Sequence, residues 1–270
     1  IKKEKLNRKS FVIEVASNDG YLLKNFVKKK IPCLGIEPAI NAAKKAENLG
    51  ILCEKFFLTH KSSNKIVKKY KKADLVIGNN VYAHVPDIND FTKSIEVLLK
   101  DEGVVTLEFP HLQNLIKYNQ FDTIYHEHFS YLSLNTVQRI FEKNNLKIFK
   151  VEELNTHGGS LRIYGCKKKS KRTISSSVIK LSQKEIRFGL EKKETYIKFK
   201  KKVDKIKNNL LLLLKKIKKK NKVVVAYGAA AKGNTLLNFC SIKSNLVSAV
   251  IDIAPSKQNK YMPSSHIPIY

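Results

Sequence analysis

Short β-branched runs that end in a turn and lead into a helical pattern recur along the first half of this chain, and that alternation leaves few folds open. Phe11–Val15 runs into the turn Ala16-Ser17-Asn18-Asp19-Gly20, after which Tyr21, Leu22, Leu23, Phe26 and Val27 recur at helical spacing. Cys33–Ile36 repeats the strand pattern and stops at Glu37-Pro38, and Asn41–Asn48 reads as the next helix. Ala73–Ile77 ends at Gly78-Asn79-Asn80. Ile88–Leu99 is then a helix with Phe91, Ile95, Leu98 and Leu99 inward, and Gly103–Phe109 is another strand. The order βαβα predicts an α/β fold, a doubly wound parallel sheet covered on both faces. Leu134–Asn144 continues as a helix. Leu146–Leu154 and Ser160–Cys166 read as an antiparallel pair closing one edge, which ends a first domain over residues 1–170.

Residues 171–220 are studded with lysine, and Ile179, Ile186, Leu190, Ile197, Val203, Ile206 and Leu210–Leu214 supply an apolar stripe. One or two long amphipathic helices, a helical connector, are expected there. Residues 221–270 open a second βαβ unit: strand Val223–Tyr227, the turn Gly228-Ala229-Ala230-Ala231-Lys232-Gly233-Asn234-Thr235, a helix, then strand Val247–Asp252. The chain begins without Met and stops at Ile267-Pro268-Ile269-Tyr270 as a further strand starts, the pattern expected of a fragment with a partial second domain.

Composition narrows the function classes. The 270 residues are 43% hydrophobic, enough for one large core or two smaller ones. No run approaches the ~18 apolar residues of a membrane span, and no leader pattern is visible, so a soluble cytoplasmic protein is expected. Cys33, Cys53, Cys166 and Cys240 are widely spaced without a CxxC pair, which fits reduced packing thiols. The formal charge of +29 comes from 52 Lys and Arg against 23 Asp and Glu. Because the excess is lysine spread along the whole chain, with no base-reading motif, nucleic-acid binding is not the expectation. An anionic small substrate is.

Ligands of such sheets bind beyond the carboxyl ends of the strands, where Ser17–Gly20, Glu37, Asn79-Asn80 and Glu108 fall. An acidic residue ending the second strand can accept hydrogen bonds from both ribose hydroxyls, and the first turn lacks the dinucleotide GxGxxG pattern. The combination points to a nucleoside, S-adenosylmethionine ahead of a dinucleotide. Tyr125-His126-Glu127-His128 packs a phenol, a carboxylate and two imidazoles into four positions, as a proton-abstraction site requires. A plain polar loop is the alternative. The HxH pair has no third ligand at recognisable spacing, so no metal is expected. His157-Gly158-Gly159-Ser160 and Arg162 offer flexible backbone plus a cation for a sugar or phosphate, or simply a tight turn between edge strands. The Gly228–Thr235 turn opens a helix whose amide N–H groups, with Lys232, suit a diphosphate; Lys257, near Asp252, is a weaker phosphate candidate.

Glu14-Val-Ala-Ser-Asn-Asp-Gly20, Gly35-Ile-Glu37-Pro38-Ala39, Asn79-Asn80-Val-Tyr-Ala-His84-Val, Phe121-Asp-Thr-Ile-Tyr125-His-Glu127-His128-Phe-Ser-Tyr131, Thr156-His157-Gly-Gly159-Ser-Leu-Arg162 and Ala226-Tyr227-Gly228-Ala-Ala-Ala-Lys232-Gly-Asn234-Thr occur in this order. Together they resemble the C-methyltransferases that act on nucleotide-linked 4-keto deoxysugars. The resemblance runs from about Phe11 to Ile269. It implies a class I methyltransferase domain holding S-adenosylmethionine with Glu14, Ser17, Asn18, Asp19, Gly20, Glu37, Pro38, Asn79 and Asn80. It also implies a Rossmann-like C-terminal domain binding the nucleotide-sugar, with Tyr227, Gly228, Lys232, Asn234 and Lys257 joined by His157, Gly159 and Arg162. His128 corresponds to the proposed general base, with Tyr125 and Glu127 beside it and His84 across the pocket. Members also carry an N-terminal cysteine-rich zinc domain, which these residues lack, and Ala16 stands where a glycine is usual. The expected reaction is base-catalysed methylation beside the ketone of a sugar linked to thymidine diphosphate. The rivals are a nucleic-acid methyltransferase, against which Asn79-Asn80-Val81-Tyr82 replaces the Asn/Asp-Pro-Pro-aromatic run, and a non-catalytic nucleotide-sugar binder. The sequence leaves the sugar and the oligomeric state open.

Overall fold

The computed structural model describes Ile1 and residues 4–270, with the side chain of His157 outside that description. The elements run β1 (Val12–Val15), α1 (Lys24–Val27), β2 (Cys33–Ile36), α2 (Ile40–Glu47), β3 (Leu52–Glu54), α3 (His60–Lys69), β4 (Ala73–Asn79), α4 (Ile88–Leu98), β5 (Leu99–Pro110) and α5 (Leu112–Lys117). They continue as α6 (Leu134–Lys143), β6 (Leu146–Leu154), β7 (Ser160–Lys167), α7 (Ser176–Phe188), α8 (Lys193–Lys219), β8 (Val225–Tyr227), α9 (Ala231–Phe239), β9 (Ala249–Ile251), β10 (Lys260–Tyr261) and β11 (Pro268–Ile269). Two compact units result: Ile1–Gln113 with His128–Phe188, and Asn114–Glu127 with Gly189–Tyr270.

The first unit is built on a seven-stranded sheet in the order β3-β2-β1-β4-β5-β7-β6. β7 runs antiparallel to both β5 and β6, and the remaining pairings are parallel. Every residue of β1 and β2 is buried, as strands covered on two faces must be. Ile13, Val15, Leu34, Ile36, Val76 and Val105 meet Ile66 of α3, Ile95 of α4, Val137 of α6 and Leu181 of α7 in one core. On the other face Val12, Cys33, Leu75 and Ile77 pack with Phe26, Ala46 and Ile51. Caps fix where the helices begin. Asp87 Oδ1 accepts from the N–H groups of Asn89 and Asp90 at 3.0 and 2.9 Å, and Ser133 Oγ accepts from Thr136 N–H at 3.1 Å.

Tyr82 sets the geometry that matters most downstream. Its fully buried ring lies 5.8 Å from Phe91, 6.0 Å from Phe109 and 6.5 Å from Phe141, and its hydroxyl pairs with Thr92 Oγ1 at 2.7 Å. The one-turn helix Tyr82–His84 is thereby nailed to the core at its first residue, which leaves His84 at the sheet's mouth with little freedom.

Three stretches differ from the periodicity. The helix expected from Tyr21 is four residues long, because Gly20 and the turns after it delay helical hydrogen bonding to Lys24. β3 and α3 carry too few apolar residues to be visible, with only Ser63 and Ile66 buried in α3. Their boundary is set instead by a reciprocal cap between Thr59 and Ser62.

The second unit holds a four-stranded sheet in the order β10-β11-β9-β8, with β8, β9 and β11 parallel and β10 antiparallel. Leu214 of α8, Leu237 of α9 and the buried Cys240, Ile242, Val250 and Ile269 form its core. The short turn Phe121–Thr123 packs here too, Phe121 lying 5.1 Å from Phe239. Among the described residues, no helix is long and apolar enough to cross a membrane.

Candidate active site

In the first unit the ends of β1 and β2 are tied together by one carboxylate. Glu37, 7% exposed, accepts the Asn18 N–H on Oε2 and the Ala39 N–H on Oε1, both at 2.9 Å. Each oxygen keeps a second lone pair for a ligand hydroxyl. The turn it braces runs through the left-handed region at Ala16 (φ 55°) and Asn18 (φ 53°), and Gly20 (φ 80°) lies so close to Ile51 that a Cβ would stand 2.4 Å from its Cδ1. Ser17 is fully buried over Gly35, where a Cβ would fall 2.4 Å from the Ser17 hydroxyl. Asn18 and Asp19 are exposed on the turn's outer side.

Beyond these strand ends lies a cavity of about 460 Å³ walled by Ala16, Glu37, Pro38, Phe56, Leu58, Val81, His84 and Asp90, among others. Its walls are mostly apolar, and Glu37 stands where a ribose needs a paired acceptor. That combination fits an adenosyl group in size and chemistry. Asn79 and Asn80, both partly buried, lie at the end of β4, and Asn80 N–H donates to the Glu108 carbonyl at 2.8 Å. Phe56 and Leu58 were not identifiable as wall residues, since the strand that leads to them was itself invisible, and Asp90 lies on an expected helix without having been singled out.

His84 reaches this cavity from its short helix, and His128 packs against it. Their ring centroids are 4.7 Å apart at an interplanar angle of 57°, and Tyr131 meets His128 edge-on at 5.9 Å. The approach is enforced by backbone: the N–H groups of Phe129 and Ser130 both donate to the Ala83 carbonyl, at 2.9 and 3.2 Å. His84 and His128 are therefore brought together, as the resemblance implies, while Tyr131 joins them unannounced. Tyr125, His126 and Glu127 belong to the Asn114–Glu127 segment that clusters with the second unit. Burial raises the Tyr125 phenol above its ordinary value, with the Glu127 and Asp122 charges adding to it, so it stays a proton donor at neutral pH.

Two predicted residues are already engaged. Arg162 donates to Glu108 Oε2 at 2.7 Å, and Thr156 Oγ1 to Glu108 Oε1 at 3.0 Å, so the guanidinium charge beside Gly159 is compensated. In the second unit Lys257 donates to Asp252 Oδ2 at 3.1 Å. Asp252 also accepts the N–H groups of Ala229 and Ala254 at 2.7 and 2.8 Å, and these bonds, the Ala254 N–H foremost, lower its pKa. The carboxylate shapes the Gly228 turn (φ 92°), leaving Tyr227 exposed at the end of β8 and Lys232 exposed in the first turn of α9. Asn234 is bonded to Asn238 one turn on, at 3.1 Å. His157 lies outside the described side chains.

Glu14 sits below the turn on the Val12 face of β1, not in the cavity wall. It is 1% exposed, its Oε2 has no hydrogen-bond partner among the described residues, and burial pushes its pKa from 4.5 to about 8. Folding therefore takes up a proton between those values, so Glu14 favours the folded state below about pH 4.5 and loses that contribution as pH rises through about 8. Urea midpoints of the ligand-free protein will fall across this window, and Glu14→Gln will flatten the fall; an unchanged slope would contradict a buried neutral carboxyl. Glu37→Ala will weaken S-adenosylmethionine binding about 10- to 100-fold by calorimetry, the worth of one or two charge-assisted hydrogen bonds. A change under threefold would remove Glu37 from the ligand.

Residues 3–151 match the family model for a methyltransferase domain, and residues 155–270 match that for a C-methyltransferase C-terminal domain. The chain is 30% identical over 259 residues to C-methyltransferase NovU of Streptomyces niveus, covering 96% of this chain and 62% of that protein. A crystal structure of a SAM-dependent methyltransferase from Anabaena variabilis superposes with a TM-score of 0.50 at 14% identity, over 61% of this chain and 80% of the other, a likeness of fold. The sheet order, the cavity beyond β1 and β2, and the match over residues 3–151 agree: this chain belongs to the methyltransferase-domain family, and its residues 155–270 match a C-methyltransferase C-terminal domain.

Proposed function

We propose that the chain methylates a nucleotide-linked 4-keto deoxysugar, carried on thymidine diphosphate, at the carbon next to the ketone. The observation that carries this reading is the 4.7 Å contact between His128 and a histidine that lines the cofactor cavity. A base held beside the methyl donor is what carbon methylation requires, since the carbon nucleophile must be made in place. S-adenosylmethionine supplies an electrophilic sulfonium methyl.

His128 takes the proton from the carbon beside the ketone onto a neutral ring nitrogen. Tyr125, whose raised pKa keeps its hydroxyl proton, and His84 are the candidates to donate to the enolate oxygen, and Glu127 orients the group. The enolate carbon would take the methyl group as its bond to the sulfonium sulfur breaks, the electron pair returning to sulfur in the S-adenosylhomocysteine released, and the proton leaves His128 to solvent. The first unit serves the cofactor; of residues 171–220, expected as a connector, α7 packs into the core of that unit and α8 contributes Leu214 to the core of the second. Residues 221–270 hold the nucleotide-sugar through the Gly228 turn and Lys232, with Tyr227 exposed beside them and Lys257 supporting the turn. His157, Gly159 and Arg162 belong to the sugar side.

Incubation with S-adenosylmethionine and a thymidine diphosphate 4-keto deoxysugar will add one CH2 to the product mass. His128→Asn will lose at least about 100-fold in turnover, the scale of a general base, while binding S-adenosylmethionine as tightly as the native chain. Full turnover in that variant removes His128 from the reaction.

A further inference from the structure

Outside the cavity, the first unit buries a second acid and imidazole pair that the proposed reaction does not use. Glu185 on α7 is fully buried, and its Oε1 lies 2.8 Å from Nε2 of His111, itself 1% exposed just after β5. The same carboxylate accepts the N–H of Leu134 at 2.6 Å and of Asn135 at 2.9 Å, the first two residues of α6. These are donors that a helix start otherwise leaves unsatisfied, and a negative charge there also meets the positive end of the helix dipole. For an ionised Glu185 to accept from Nε2, the His111 ring must carry its proton on that nitrogen. Among the described residues its Nδ1 has no hydrogen-bond partner.

The location gives this pair a consequence. His128 leads directly into a segment held by two backbone anchors: Phe129 and Ser130 on the Ala83 carbonyl, and beyond them Leu132, whose carbonyl accepts the Leu112 N–H at 2.9 Å and which bridges to His111. Ser133, the next residue, caps α6. The far anchor is thus gripped from both sides by groups that converge on one carboxylate, His111 before Leu112 and α6 after Ser133.

We infer that Glu185, acting with His111, is a positioning residue that holds the Phe129–Ser133 segment and through it the ring of His128. The inference rests on His128 being the base of the proposed methyl transfer. A buried carboxylate reaching three donors on two elements fixes their separation, and a displacement of about 1 Å at a reacting group costs about 100-fold in rate. Glu185→Gln turns an amide N–H₂ toward donors and loosens the clamp while filling the same space.

The test uses the intact chain with histidine rings labelled for NMR, His128 assigned by loss of its signals in His128→Asn. Glu185→Gln is expected to move the His128 ring resonances and lower kcat about 10- to 100-fold, with KM and S-adenosylmethionine affinity within twofold. Val178→Ala, which only empties core space on the same helix, is expected to lower Tm and leave both readouts within twofold. Where Glu185→Gln does not fold, His111→Gln keeps a donor toward the carboxylate and is expected to shift the same resonances. Unmoved His128 resonances, or an equal loss of kcat in Val178→Ala, overturn the inference. If the native chain transfers no methyl group, the proposed function fails while the resonances still decide whether Glu185 positions His128.

Discussion

The candidate active site depends on one carbonyl. The oxygen of Ala83 accepts from two successive backbone N–H groups, those of Phe129 and Ser130, and these bonds hold a loop from one end of the chain's first unit against a helix turn from another. The turn itself cannot give way, because Tyr82 is locked among Phe91, Phe109 and Phe141 and bonded to Thr92. Backbone bonds suit this task better than side-chain contacts, since they constrain position without competing for the imidazole nitrogens that chemistry needs. Break them and His128 leaves the cavity's edge, although the sheet beneath stays intact.

A second economy lies in the carboxylates. Glu37, Glu108, Glu185 and Asp252 each receive donors that define a strand end or a helix start: Glu37 from Asn18 and Ala39, Glu108 from Arg162 and Thr156, Glu185 from Leu134 and Asn135, Asp252 from Ala229 and Ala254. In a chain of formal charge +29, where negative side chains are scarce, these four are buried structural fasteners at loop ends. Preorganisation of this kind is what lets a surface of turns present ligands with fixed geometry. Glu14 is the exception, a carboxyl so desolvated that it is held neutral near pH 7.

The strands that carry hydrophobic density, such as Val12–Val15 and Ala73–Asn79, were legible from alternation and from the turns that end them. So were Glu37, because an acid at the end of a second strand has one obvious place to point, and the His84 to His128 meeting, because the motifs carried it. Leu52–Glu54 and His60–Lys69 were not, since a three-residue strand has no period and a lysine-rich helix with two buried residues carries too little apolar content to stand out. The Ala83 carbonyl escaped for a different reason: backbone acceptors leave no trace in residue identity. Glu185 lies 74 positions from His111 in the chain, and only folding reveals that they share a hydrogen bond.

The account stands on proton removal by His128 before any methyl transfer, and that step can be watched alone. The chain would be incubated in deuterium oxide with S-adenosylhomocysteine and a thymidine diphosphate 4-keto deoxysugar, following the proton beside the ketone by NMR. Exchange of that proton far above the uncatalysed rate with the native chain, and its absence with His128→Asn, is the predicted result. Equal exchange in both, or none with the native chain while methyl transfer proceeds, would contradict a histidine base at position 128.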